Sequence, residues 1–118
     1  MKGSSKSSQA KAKDRVFLEI NLGTIEENYK AIKEKAKKDV EVMCIVKADA
    51  YGHGMREVSK RLFDAGCKFF GVSSVDEGVE LRKSGIGGKI LVLSGICSEE
   101  EVRALLKYDL AIVVHEIE

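Results

Sequence analysis

Five short apolar runs recur along the chain, separated by stretches in which apolar residues return at helical spacing. The runs are Val16–Leu22, about Val42–Lys47, Phe69–Val72, Ile90–Leu93 and Ala111–Val114, and each predicts a β-strand. The second is apolar without alternation through Val42, Met43, Cys44, Ile45 and Val46, the pattern of a strand covered on both faces in a parallel α/β sheet. After the first run, Ile25, Tyr29, Ile32 and Ala36 define one face of a helix, and Lys30, Lys33 and Lys37 its solvated opposite. Glu26 with Lys30 and Glu34 with Lys38 make favourable pairs four residues apart. Met55, Val58, Leu62 and Phe63 mark a second helix that stops near Gly66. A third runs from Ser74 to Gly85, and a fourth follows Ser98 with Val102, Leu105 and Leu106 as its expected buried stripe. Thr24/Glu27, Ser74/Glu77 and Ser98/Glu101 each have the spacing of a capping box, so three of the four helices carry the same start signal.

Repeated βα units of similar length imply parallel strands, either in a doubly wound sheet or in a (β/α)8 barrel. No GxGxxG follows the first strand, which lowers the dinucleotide-binding option. Right-handed crossovers between sequential neighbours curl a sheet one way, as a barrel begins. A barrel closes with eight strands, whereas this sequence supplies about four and a half βα units. The expected fold is therefore α/β: about half of a TIM barrel, an open curved sheet with helices on one side. Residues 1–13 are set apart as a tail, and residues 14–118 form the truncated barrel.

Composition narrows the function classes. Twenty basic and 19 acidic residues leave a formal charge of +1, with no global field for nucleic acid. The tail alternates Lys2, Lys6, Lys11 and Lys13 with serine, glycine and alanine; it has too little apolar surface to order and no hydrophobic region of a secretory signal. No apolar run has the length of a membrane span. Cys44, Cys67 and Cys97 lack CxxC spacing and read as reduced, buried thiols of a cytoplasmic protein. His53 and His115 form no ligand cluster, so no metal is expected.

Lys47 is the residue on which the chemistry turns. A lysine at a strand end is commonly just the first solvated residue after a hydrophobic run. At the carboxyl end of a buried parallel strand, however, it stands where such folds place their ligands. A low-dielectric wall favours the neutral amine, a usable nucleophile or base.

The residues around it form Val46-Lys47-Ala48-Asp49-Ala50-Tyr51-Gly52-His53-Gly54, which resembles the pyridoxal-phosphate attachment signature of the alanine racemases at nine consecutive positions. Glu19-Ile20-Asn21-Leu22 with Asn28, Val72 to Gly78, and Ile90 to Gly95 are similar to further segments of that family, so the likeness runs from about Arg15 onward. It covers only the first part of a family member, about a third of its length. The resemblance implies a barrel and a pyridoxal 5'-phosphate cofactor held by Lys47. Its substrate would be alanine, interconverted between L and D forms, and the full-length enzyme a homodimer. Lys47 would exchange the α-proton on one face; in the family a tyrosine of the partner subunit serves the other, and its motif would lie beyond Glu118.

By the same resemblance Tyr51 would donate to the cofactor phosphate, and Leu93 would pack near its ring. Gly52 and Gly54 suit a tight strand-to-helix turn rather than a phosphate nest, because barrels usually hold phosphate after their seventh and eighth strands. His53 reads as a structural hydrogen-bonder, Asp49 as a partner for backbone donors in the turn, and Asp76, Glu77 and Glu80 as helix cap and solvated face. The chain alone is expected to be inactive. The alternatives are a non-catalytic half-barrel that binds the cofactor or another protein, and a racemase acting on another amino acid.

Overall fold

The computed structural model describes residues 21–47, 54–96 and 98–114. Four strands, β1 (Cys44–Ile45), β2 (Phe69–Val72), β3 (Lys89–Val92) and β4 (Ala111–Ile112), form one sheet in the order β1-β2-β3-β4. Every neighbouring pair is parallel, with Ile45 opposite Gly71, Gly71 opposite Leu91 and Leu91 opposite Ala111. Helices α1 (Leu22–Lys35), α2 (Met55–Asp64), α3 (Val75–Lys83) and α4 (Glu99–Lys107) alternate with the strands. Sequential parallel neighbours joined by helices are the partial α/β barrel that the pattern predicted.

The core lies between sheet and helices. Phe70, Val72, Ile90 and Val92 are almost fully buried, as are Met55 and Leu81 from the helices. Gly78 lets this layer close: a Cβ there would stand 2.9 Å from Leu110 Cδ1 and 3.6 Å from Ile90 Cγ2. Gly88, at φ +77°, makes the turn into β3; a Cβ on it would come within 2.5 Å of the Lys68 carbonyl oxygen. That same carbonyl accepts the Lys89 N–H at 2.8 Å, so the tight approach starts the β2–β3 pairing.

Helix starts follow their side-chain caps. Ser74 and Ser98 accept the N–H groups of Glu77 (3.2 Å) and Glu101 (3.1 Å). The first helix departs from expectation. Asn21, not Thr24, is its cap, accepting the Thr24 N–H at 3.1 Å, so Leu22 is helical rather than the end of a strand. Residues 16–20 of the expected first strand lie outside the described residues, as does the 1–13 tail. The helix ends at Lys35 with Ala36 extended, so Glu34 and Lys38 no longer share a helix. Glu26 does pair with Lys30 at 2.8 Å and also with Arg61 of α2, joining the two helices. Hydrogen bonds from Lys30 and Arg61 hold the Glu26 carboxyl at about 2, below its ordinary 4.5.

Burial corrects two apolar faces. Ile32 is 57 % exposed although Tyr29 beside it is buried. In α4, Val102 and Leu106 are 43 % and 71 % exposed, so the expected buried stripe is covered only around Leu105 and Ala104. The helical period located the apolar face, but among the described residues nothing packs over its outer part. The outer strands β1 and β4 are shorter than their apolar runs.

Candidate functional site

Because all four strands are parallel, their carboxyl ends share one edge of the sheet. The last rungs there are Val46 N–H to Gly71 O (2.8 Å), Leu93 N–H to Val72 O (2.8 Å) and Val113 N–H to Val92 O (3.3 Å). Lys47, Ser73 and Leu93 follow immediately, each half-buried. The sheet face turned away from the helical layer carries Met43, Ile45 and Leu93 around Gly71. A Cβ on Gly71 would meet Ile45 Cδ1 at 2.7 Å, Met43 Sδ at 3.3 Å and Leu93 Cδ1 at 3.7 Å. The side chain missing from Gly71 thus keeps the middle of this apolar floor low.

The loop beside Lys47 is fixed from below. Glu77 Oε1 accepts both the Ser73 N–H (2.7 Å) and the Ser73 hydroxyl (2.9 Å). The capping-box glutamate therefore reaches one residue further back than its cap, Ser74, and orders the rim instead of lying on a solvated face. Asp76 and Glu80 are exposed as expected, and Glu80 faces Arg56 at 3.5 Å. Gly54, at φ +92°, is the N-cap of α2, in keeping with the tight turn expected of it. Tyr51, Asp49, Gly52 and His53 lie outside the described residues, as do Cys97 and His115.

The structure thus brings Lys47 and Leu93 to one edge, with β2 between them. Sequence reasoning missed Gly71 and the Ser73–Glu77 pair; a lone glycine inside an apolar strand and the box position of Glu77 were the available signals. A cleft of about 450 Å³ lies among the helices, lined by Leu22 of α1 and by Arg56, Lys60 and Arg61 of α2. Its cations already face carboxylates: Arg61 faces Glu26, Arg56 faces Glu80 and Lys60 faces Asp64. Among the described residues no three His, Cys, Asp or Glu side chains cluster to hold a metal, and no helix is long and apolar enough to cross a membrane.

Comparison with known proteins places this geometry. The family model for the N-terminal domain of alanine racemase matches residues 20–118. The chain is 43% identical over 103 residues to the alanine racemase of Carboxydothermus hydrogenoformans, a match covering 87% of this chain and 27% of that protein. It is 41% identical over 97 residues to an amino-acid racemase of Enterococcus faecalis, covering 82% and 14%. Its fold superposes on the crystal structure of alanine racemase from E. faecalis with a TM-score of 0.75 at 33% identity, covering 80% of this chain and 25% of that one. For the alanine racemase of Bacillus anthracis with bound L-Ala-P the TM-score is 0.72 at 36% identity. The chain spans about a quarter of the length of most of these relatives.

Proposed function

This chain belongs to the alanine racemase family, and we propose that it carries the cofactor-attaching portion of a pyridoxal 5'-phosphate-dependent racemase of alanine. The observation that supports this reading best is the position of Lys47, half-buried one residue past the last β1–β2 rung, at the edge where parallel strands present their ligands. The residues present suit the cofactor. Leu93 and the low floor over Gly71 offer an apolar surface for a planar ring, and Lys47 offers the amine.

When bound, pyridoxal phosphate supplies an aldehyde that condenses with amines and a ring that draws electron density from the substrate α-carbon. Lys47 would hold the cofactor, and its freed amine would move the α-proton on one face. The Glu77 carboxylate, by accepting from the Ser73 N–H and hydroxyl, would fix the loop that follows β2 at the same edge as Lys47. Tyr51 is assigned to the phosphate. The substrate is alanine, the assembled enzyme a cytoplasmic homodimer, and the group serving the opposite face of the α-carbon comes from outside this sequence.

The short span relative to the relatives favours one qualification: the 118-residue chain binds the cofactor without turnover. The test is borohydride trapping after incubation with pyridoxal phosphate, followed by tryptic mapping. The reduced adduct is expected on Lys47, with cleavage there suppressed and Lys47→Ala abolishing it. An adduct mapped to a different lysine overturns the assignment. D-alanine formed above the free-cofactor background would refute the absence of turnover while leaving the site intact.

A further inference from the structure

Two of the cysteines meet. The Cys44 and Cys67 sulfurs lie 3.4 Å apart, one on β1 and the other in the turn between α2 and β2. Both are free thiols; Cys67 is wholly buried and Cys44 half-buried. Cys67 is held in place from several directions: its N–H bonds Leu62 O at 2.9 Å, and its sulfur lies 3.3 Å from Phe69 O. We propose that Cys44 and Cys67 form a redox-active dithiol, which an external low-molecular-weight disulfide converts to an intramolecular disulfide in the folded chain.

The geometry needs little change. A disulfide brings its sulfurs to ~2.0 Å, so the present gap closes by roughly 1.4 Å, within reach of side-chain rotation and a small backbone adjustment. The surroundings favour a thiolate in the pair. Each sulfur can donate its hydrogen to the other, and Lys33 of α1 places a cation near Cys67. The shared hydrogen bond lowers the first proton loss, assigned to Cys67, and, with burial, pushes the remaining proton on Cys44 up. Tyr29, buried beside the pair, has its phenol pushed up by burial and by the two thiols, so it stays neutral.

The exchange balances as two displacements. Cys44, the sulfur nearer solvent, passes its proton to the Cys67 thiolate across their shared hydrogen bond and attacks one sulfur of the external disulfide, forming a mixed disulfide and releasing one external thiol. Cys67 then gives up its proton and attacks the Cys44 sulfur, which releases the second external thiol. Two protein thiols lose two electrons and two protons in all, and the external disulfide gains them. The new bond would staple β1, three residues before Lys47, to the turn that leads into β2.

Trypsin can separate the outcomes without any substitution, because Cys44, Cys67 and Cys97 fall on different peptides: 39–47, 62–68 and 90–103. The native chain is treated with oxidised glutathione, alkylated without reduction and mapped. The expected result is a 39–47/62–68 linked species lacking two hydrogens and reversed by dithiothreitol. A Cys67→Ser chain should instead stop at the glutathione mixed disulfide on Cys44. Three results would overturn the proposal: a persistent mixed disulfide on Cys44 in the native chain, linkage to the 90–103 peptide, or a Cys44–Cys67 link that forms only after unfolding in urea.

Discussion

Removing the Arg82 guanidinium should loosen α4 from the rest of the sheet. Arg82, in the last turn of α3, donates from Nε to Tyr108 O (2.8 Å), from Nη1 to Ile86 O (2.9 Å) and from Nη2 to Asp109 O (2.8 Å). One planar fork thus gathers the end of its own helix and the end of α4. Helix α4 has no fully buried residue of its own, which gives this clasp unusual weight. The bonds to Tyr108 and Ile86 are part-buried and the one to Asp109 is exposed. Counting ~1.5 kcal/mol for each part-buried charged bond, and little for the exposed one, Arg82→Met should cost about 3 kcal/mol. That corresponds to a melting temperature lower by roughly 10–20 °C. Arg82→Lys keeps the charge but not the fork, so it should fall nearer Met than wild type. Urea unfolding followed by circular dichroism measures both, and α4 amides should exchange hydrogen faster in each variant. A lysine variant within ~0.5 kcal/mol of wild type, about the spread of an ordinary surface substitution, would show that charge rather than the three-way fork holds the helix.

Four further outcomes follow from local features. Glu26 is ionised in the fold down to about 2, whereas an unfolded chain protonates it near 4.5, so its contribution is complete above 4.5 and is lost as pH falls towards 2. Acid titration of stability should therefore show a loss in that window that Glu26→Gln lacks. Ser59 is fully buried in α2 and its hydroxyl has no partner among the described residues, so Ser59→Ala should stabilise the chain by about 1 kcal/mol in urea unfolding. Gly88→Ala should cost about 2–4 kcal/mol, because backbone strain adds to the collision with Lys68 O. Gly85→Ala, at φ +92° with open space around it, should cost only about 1 kcal/mol in the same assay.

What the sequence disclosed was what neighbours in the chain decide. Strand β2 begins and ends at the residues expected, because Phe69 to Val72 is an apolar run closed by a serine cap. Ser74 and Ser98 were readable for the same reason. The start of α1 was misplaced because Leu22 extends an apolar run while Asn21 already turns it into a helix. Exposure was harder to foresee: spacing shows which side of α4 is apolar, not whether anything lies over Leu106. Lys47 could be singled out because its motif is contiguous. The packing over Gly71 and the meeting of Cys44 with Cys67 depend on strand register and loop packing between residues more than twenty positions apart, whereas the Ser73–Glu77 contact is local and only its exact partner was missed.

The strand order carries a consequence for how the chain is made. Among the described residues each strand pairs only with its neighbours in sequence, so no later strand inserts between earlier ones. A nascent polypeptide can lay down one unit upon the last as it leaves the ribosome, and the loop closures required are short. Helix α4, tethered by Arg82 and with Leu106 still in water, is then the described helix that such stepwise growth leaves least covered.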